Sequence, residues 1–146
     1  MTQTLDALNV DLLLSEFPEW RALVRAETDD AGRPYLVVEV NAPEPANVEH
    51  GLIISTSNDE ITVGFDVFHS HFGDWTGEFE SALVFVKQLV TEQVEVLSWW
   101  FDDQWHGSTH IEAGAEPTLL SWAGAPSVNR IRVRSWNGTF NSDVNV

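Results

Sequence analysis

No cysteine occurs in the 146 residues. That absence excludes a disulfide framework, a thiolate metal site and a cysteine nucleophile, and it fits a reducing compartment. Positive charge is also scarce: seven Lys and Arg stand against 23 Asp and Glu, for a net charge of −16. Long apolar runs are missing. The longest, "ALVFV" from Ala82 to Val86, falls far short of the roughly 20 residues a membrane helix needs. No Lys or Arg precedes Arg21, so the basic start of a secretory signal is not there. A soluble, cytoplasmic protein is the expectation.

What is present points to one ordinary domain. A chain of this length buries about two thirds of its unfolded surface. With 43% hydrophobic residues and seven tryptophans, it has the material to do so, and we expect a single globular domain over residues 1–146. The acidity is unevenly placed. From Pro34 to Asn129 there are fifteen Asp or Glu against one Lys, Lys87, an excess of fourteen. Three arginines precede that block and three follow it. Such a field repels nucleic-acid phosphates and anionic membranes, and it draws in basic partners. Acidity that merely keeps a domain soluble is the plainer alternative.

Hydrophobic spacing supplies the elements. Leu5, Leu8 and Leu12 recur at helical intervals, which predicts a helix from about Thr4 to Glu16, stopped by Pro18. "WRALVRAET" alternates, with Trp20, Ala22, Val24 and Ala26 on one side; "DDAG" turns the chain and "PYLVVEV" returns it. "NAPEPANVEH" reads as a loop, and "GLIISTS" and "EITVGFDVFHSHF" as two further strands. Phe79, Ala82, Leu83, Val86, Leu89 and Val90 form a 3.6-residue stripe, so a helix is expected from Thr76 to about Gln93. "VEVLSWWFDD" and "WHGSTHIEA" return to strand, "GAEPTLLSWAGAPS" is irregular, and "VNRIRVRSW" is a last strand before the turn signal at Asn137 and Gly138. Short turns between neighbouring strands predict an α+β fold. The sheet is expected to be mainly antiparallel, of about six to seven strands, with the N-terminal helix and one long central helix packed on it.

The stretch "FDVFHSHFGDW", Phe65 to Trp75, carries the one catalytic possibility. On a continuous strand, Phe65, Val67, His69 and His71 share one face, while Asp66, Phe68, Ser70, Phe72 and Asp74 take the other. Two imidazoles on one face can hold a metal if a third ligand arrives, and His106 or His110 on a neighbouring strand is a candidate. A metal-dependent hydrolase is therefore the alternative reading. The commoner outcome for such a pair is half-buried rings bonded to neighbouring carboxylates or carbonyls, and no metal or other cofactor is expected. Ser70 and Ser98 lack a nucleophile elbow. No Gly-rich loop cradles phosphate. No catalytic residue is assigned.

"SWWFDDQWHG" sets Trp99, Trp100 and Trp105 beside Asp102 and Asp103. Exposed aromatics flanked by carboxylates suit an interface, where rings supply energy and charges guide encounter. In "RIRVRSW", Arg130, Arg132, Arg134 and Trp136 share a face opposite Ile131 and Val133. The arginine face is expected to be neutralised by the chain's own carboxylates, or else to orient an acidic group of a partner.

The acidic, Trp-rich, cysteine-free chain, with its "FHSHF" and "SWNGTF" pieces, resembles bacterial immunity proteins that neutralise polymorphic or contact-dependent toxins. The resemblance implies a stoichiometric inhibitor that covers the active site of a basic, nuclease-like toxin domain. It would act as a monomer or homodimer without contacting nucleic acid or membrane. The expected partner-binding residues, taken from the charge and aromatic patterns, are Asp59, Glu60, Asp66, His69, His71, Asp74, Trp99, Asp102, Asp103 and Trp105.

Overall fold

The computed structural model describes residues 5–57, 60–73, 76–116 and 128–146, with side chains from residue 11 onward except those of residues 76–79. The chain divides into two compact units. One comprises Met1–Asn41, Gly51–Gly64 and His69–Val86; the other comprises Ala42–His50, Phe65–Phe68 and Lys87–Val146. No helix among the described residues is long and apolar enough to cross a membrane.

The first sheet is a five-stranded meander of β1 (Val24–Thr28), β2 (Pro34–Val40), β3 (Leu52–Ser55), β4 (Ile61–Phe65) and β5 (Phe68–Phe72), each paired with its chain neighbour. β1 to β4 are antiparallel, with Ala26 opposite Leu36, Val38 opposite Ile54 and Ile54 opposite Val63. The first helix, α1 (Leu5–Glu16), and a 3-10 turn at Pro18–Leu23 pack beside β2. Among the described side chains of α1, Leu13 and Leu14 are buried, while Leu12, part of the expected apolar stripe, is 41% exposed. The strand expected from Trp20 begins only at Val24. Pro18 presets a helical φ, and Trp20 turns inward to stack on Phe17 at 4.1 Å between ring centroids.

The second sheet orders its strands β7-β6-β8-β9, all antiparallel: β6 (Val94–Phe101), β7 (Gln104–Glu112), β8 (Arg130–Arg134) and β9 (Ser142–Asn145). Being central, β6 is buried at seven consecutive residues. One sheet face gathers Leu97, Trp99, Ile131 and Val133 into an apolar cluster, with Ile111 and Val128 against it. The expected single sheet under a long central helix is thus overturned. Among the described residues nine strands form two sheets, and the second helix, α2 (Thr76–Val90), has only 15 residues. It stops before Gln93 because Glu92 adopts a left-handed φ of 56°. Gln93 N–H then bonds Gln88 O at 2.8 Å and Glu92 N–H bonds Leu89 O at 3.1 Å. These two bonds satisfy the Gln88 and Leu89 carbonyls of the last turn.

The single strand expected over "EITVGFDVFHSHF" is also corrected. Asp66 takes a φ of 55° and the chain turns at Asp66–Val67, so β4 and β5 are two strands of a hairpin. The face assignment across Val67 fails with it. Asp66 then serves the second unit from the interior, at 4% exposure.

That unit is organised by its arginines, which turn inward. Arg132 Nη2 donates to both carboxylate oxygens of Asp66 at 2.8 Å, and Glu49 N–H reaches Asp66 Oδ1 at 2.9 Å. Arg134 bonds Asn47 O at 3.1 Å, Val133 O at 2.9 Å and Asp143 Oδ2 at 3.3 Å. The guanidinium carbons of Arg130 and Arg132 stand 5.2 and 4.8 Å from the Trp100 ring centre, close enough for cation–π attraction. Trp100 in turn donates its indole N–H to Ser98 Oγ at 2.8 Å. Beyond β8, Gly138 takes a φ of 79° in the turn to β9, where an added Cβ would strike the Pro45 carbonyl. The Glu92 carboxylate clips this turn, accepting Thr139 Oγ1–H at 2.7 Å and Asn137 N–H at 3.2 Å. Burial pushes the Glu92 carboxyl up, but the donors of Thr139, Ser135 and Asn137 outweigh it and hold the group below its ordinary value.

Candidate functional site

β6 and β7 meet in a two-residue turn, Asp102–Asp103, closed by the pair Phe101 and Gln104. Asp102 adopts a φ of 50°, a left-handed conformation that Asp tolerates better than most residues. Asn129 locks it from the neighbouring chain: Asp102 N–H donates to Asn129 Oδ1 and Asn129 Nδ2–H donates to Asp102 Oδ1, both at 2.9 Å. The pairing register slips between Trp99 and Trp100. Trp99 faces Gly107 and Trp100 faces Trp105, which leaves His106 as the extra residue. Bulges of this kind add local twist and re-aim side chains. The tip therefore presents Phe101 at 39% exposure and Trp105 at 46%, on either side of two exposed carboxylates.

Beneath the tip lies an open depression lined by Asp102, Asp103, Asn129, Arg130, Asn145 and Val146. Among the described residues, Asp103 has no ion pair or hydrogen bond, and the Arg130 guanidinium meets no carboxylate within 4.0 Å. The exposed charge of the second unit is one-sided. In the second unit, seven carboxylates are exposed: Glu44, Glu49, Asp102, Asp103, Glu112, Glu116 and Asp143. Lys87 is the one exposed cation there among the described residues, since Arg132 and Arg134 are buried and Arg130 is half-buried.

Of the residues expected to bind a partner, the structure brings Asp102, Asp103 and Trp105 together. Trp99, only 5% exposed, is in the core, its indole lying over Gly107; a Cβ there would come 2.6 Å from Trp99 Cε2. Asp66 is the buried partner of Arg132, so neither it nor Trp99 is on an exposed surface. Glu60, His69 and His71 form a separate cluster in the first unit. His71 Nδ1 lies 3.0 Å from Glu60 Oε1 and 2.9 Å from Thr62 Oγ1, with the two imidazoles edge-on at 5.1 Å. Asp59 and Asp74 lie outside the described residues.

For the hydrolase alternative, His106 and His110 belong to the second unit, not the first. His110 packs edge-on against Phe68 at 5.6 Å, and burial lowers its affinity for a proton. Among the described residues, no three His, Asp or Glu side chains converge as metal ligands. Asn129, the clamp of the tip, was not singled out in the sequence; its only signal is its place directly before the Arg-Ile-Arg-Val-Arg alternation. No protein-family model, curated protein or solved structure matches the chain.

Proposed function

We propose that this chain is a non-enzymatic binding protein that neutralises a basic protein partner, as an immunity protein does with a nuclease-like toxin domain. The observation that carries the reading is the sorting of charge in the second unit. Its arginines point inward onto Asp66, Trp100 and backbone carbonyls, and its exposed charges are seven carboxylates against Lys87. A surface of one sign steers an oppositely charged partner and raises its association rate. The locked tip adds two aromatic anchors held in place before binding, which lowers the entropy lost on association. A toxin that grips phosphate would find its own basic cleft covered by carboxylates.

The test is association with the basic protein encoded beside this gene, followed by stopped flow at several salt concentrations. Replacing Asp102 and Asp103 by Lys reverses four units of local charge. Association is expected to slow by about ten-fold at low salt, with a shallower dependence on ionic strength. Equimolar chain is expected to suppress the partner's activity. An unchanged rate and salt slope in the Lys variant would remove the tip from the interface, and failure of the unaltered chain to bind any basic protein would end the reading.

A further inference from the structure

Resting on that reading, we propose that the tip selects arginine over lysine in the basic partner, laying a guanidinium on the exposed face of Trp105 and pairing it with Asp103. Three observations converge on this. Trp105 is the largest exposed apolar side chain at the tip, and among the described residues its ring meets no other ring and no cation. Asp103 is exposed beside it and forms no ion pair there, whereas one oxygen of Asp102 is already held by Asn129. The third observation lies inside the same hairpin. Trp100, the cross-strand partner of Trp105, is flanked by the guanidinium groups of Arg130 and Arg132. The fold thus satisfies one tryptophan of the pair with its own arginines and leaves the other 46% exposed, with no cation on it among the described residues.

The preference follows from shape. A guanidinium is planar and weakly hydrated, so it stacks on an indole while its N–H fork meets a carboxylate. A lysine ammonium is compact and strongly hydrated, and it gains less from the ring. Arg130 lines the same depression, but the two carboxylates outweigh its charge, so the site still favours a cation.

The experiment uses octa-arginine and octa-lysine, which carry equal charge, titrated into the full chain by calorimetry at low salt. The indole N–H signals are followed by nuclear magnetic resonance. Octa-arginine is expected to bind about five-fold more tightly and to move the Trp105 signal. In Trp105→Leu the two affinities should become equal while lysine binding persists, and Asp103→Asn should weaken octa-arginine more than octa-lysine. Equal affinities for the unaltered chain, or a preference that survives Trp105→Leu, would overturn the arginine inference and leave the binder reading standing. If neither peptide bound even at low salt, the binder reading itself would fall, and the inference with it.

Discussion

Asp66→Ala probes the pair that turns the arginines inward. The Asp66 side chain is wholly covered and Arg132 is 10% exposed, so the mutation strands a guanidinium that is almost out of water. Breaking one side of a buried ion pair costs about 3–5 kcal/mol. The 55° φ at Asp66 adds about 1 kcal/mol, because Ala disfavours left-handed backbone. Two contacts moderate the loss: Glu49 Oε1 lies 3.6 Å from Arg132 Nη1, and the Trp100 face stays at 4.8 Å. A net loss of about 3–5 kcal/mol is therefore expected, a large share of the roughly 5–15 kcal/mol available to a domain. Asp66→Asn keeps the turn and one acceptor, and should cost about 2 kcal/mol. Arg132→Met combined with Asp66→Ala should cost less than the sum of the two single changes by at least about 1 kcal/mol, since no charge is then stranded. Urea unfolding followed by circular dichroism measures the unaltered protein and these four variants. A loss under about 1 kcal/mol for Asp66→Ala with unchanged denaturant slope, or additive losses in the pair, would refute the reasoning.

Gly107→Ala tests the Trp99 platform: a methyl group would come 2.6 Å from Trp99 Cε2 and force the indole out of the cluster with Leu97, Ile131 and Val133. A loss of about 1–3 kcal/mol is expected, and an unchanged melting temperature would show that the ring does not lie on the strand. Glu95 is 1% exposed and its Oε2 has no partner among the described residues. Burial raises its carboxyl above the ordinary range; the Gly114 N–H opposes this, and the nearby Glu92 charge adds to it. The folded state therefore binds this proton more tightly than the unfolded chain does, and the native protein loses stability as pH rises from the ordinary carboxyl range through the raised value. Glu95→Gln removes that loss, so its urea midpoint should gain on the native protein as pH rises above the ordinary carboxyl range. Parallel curves would exclude a strained carboxylate at this position.

The elements with clean periodicity were legible in the sequence. The β1–β2 turn and the opposite faces of β8 follow from alternation and from short polar turns, and both are found. Failures came where two signals competed. Across Phe65–Phe72 the aromatic alternation runs on through Asp66–Val67, a pair without the glycine that usually marks a tight hairpin. What turns the chain there is tertiary: Asp66 is held by Arg132, 66 residues away. α2 ended early for a local reason, the left-handed Glu92, which composition alone does not announce. The division into two sheets was hidden because strand count says nothing about which edges join. At the candidate site, the exposed tip was readable from "WWFDDQW", but Trp99 and Trp100 both proved buried because β6 is covered on both faces.

The inward arginines bear on the charge argument in a way that net charge does not. Exposed charges interact over a Debye length of about 8 Å at physiological salt, so a −16 total spread over the molecule says little about any one surface. What a partner meets is the local excess. Had Arg132 and Arg134 faced solvent, two more guanidinium groups would stand among the seven exposed carboxylates of the second unit and screen much of their field. Burying Arg132 and Arg134 costs desolvation, which is offset by the Asp66 pair, the Trp100 face and the carbonyls of Asn47 and Val133. One set of contacts thus stabilises the second sheet and leaves its surface negative. The surface charge should therefore survive loss of the pair: the double variant Arg132→Met, Asp66→Ala, which strands no charge, should retain the salt-dependent association as long as it folds.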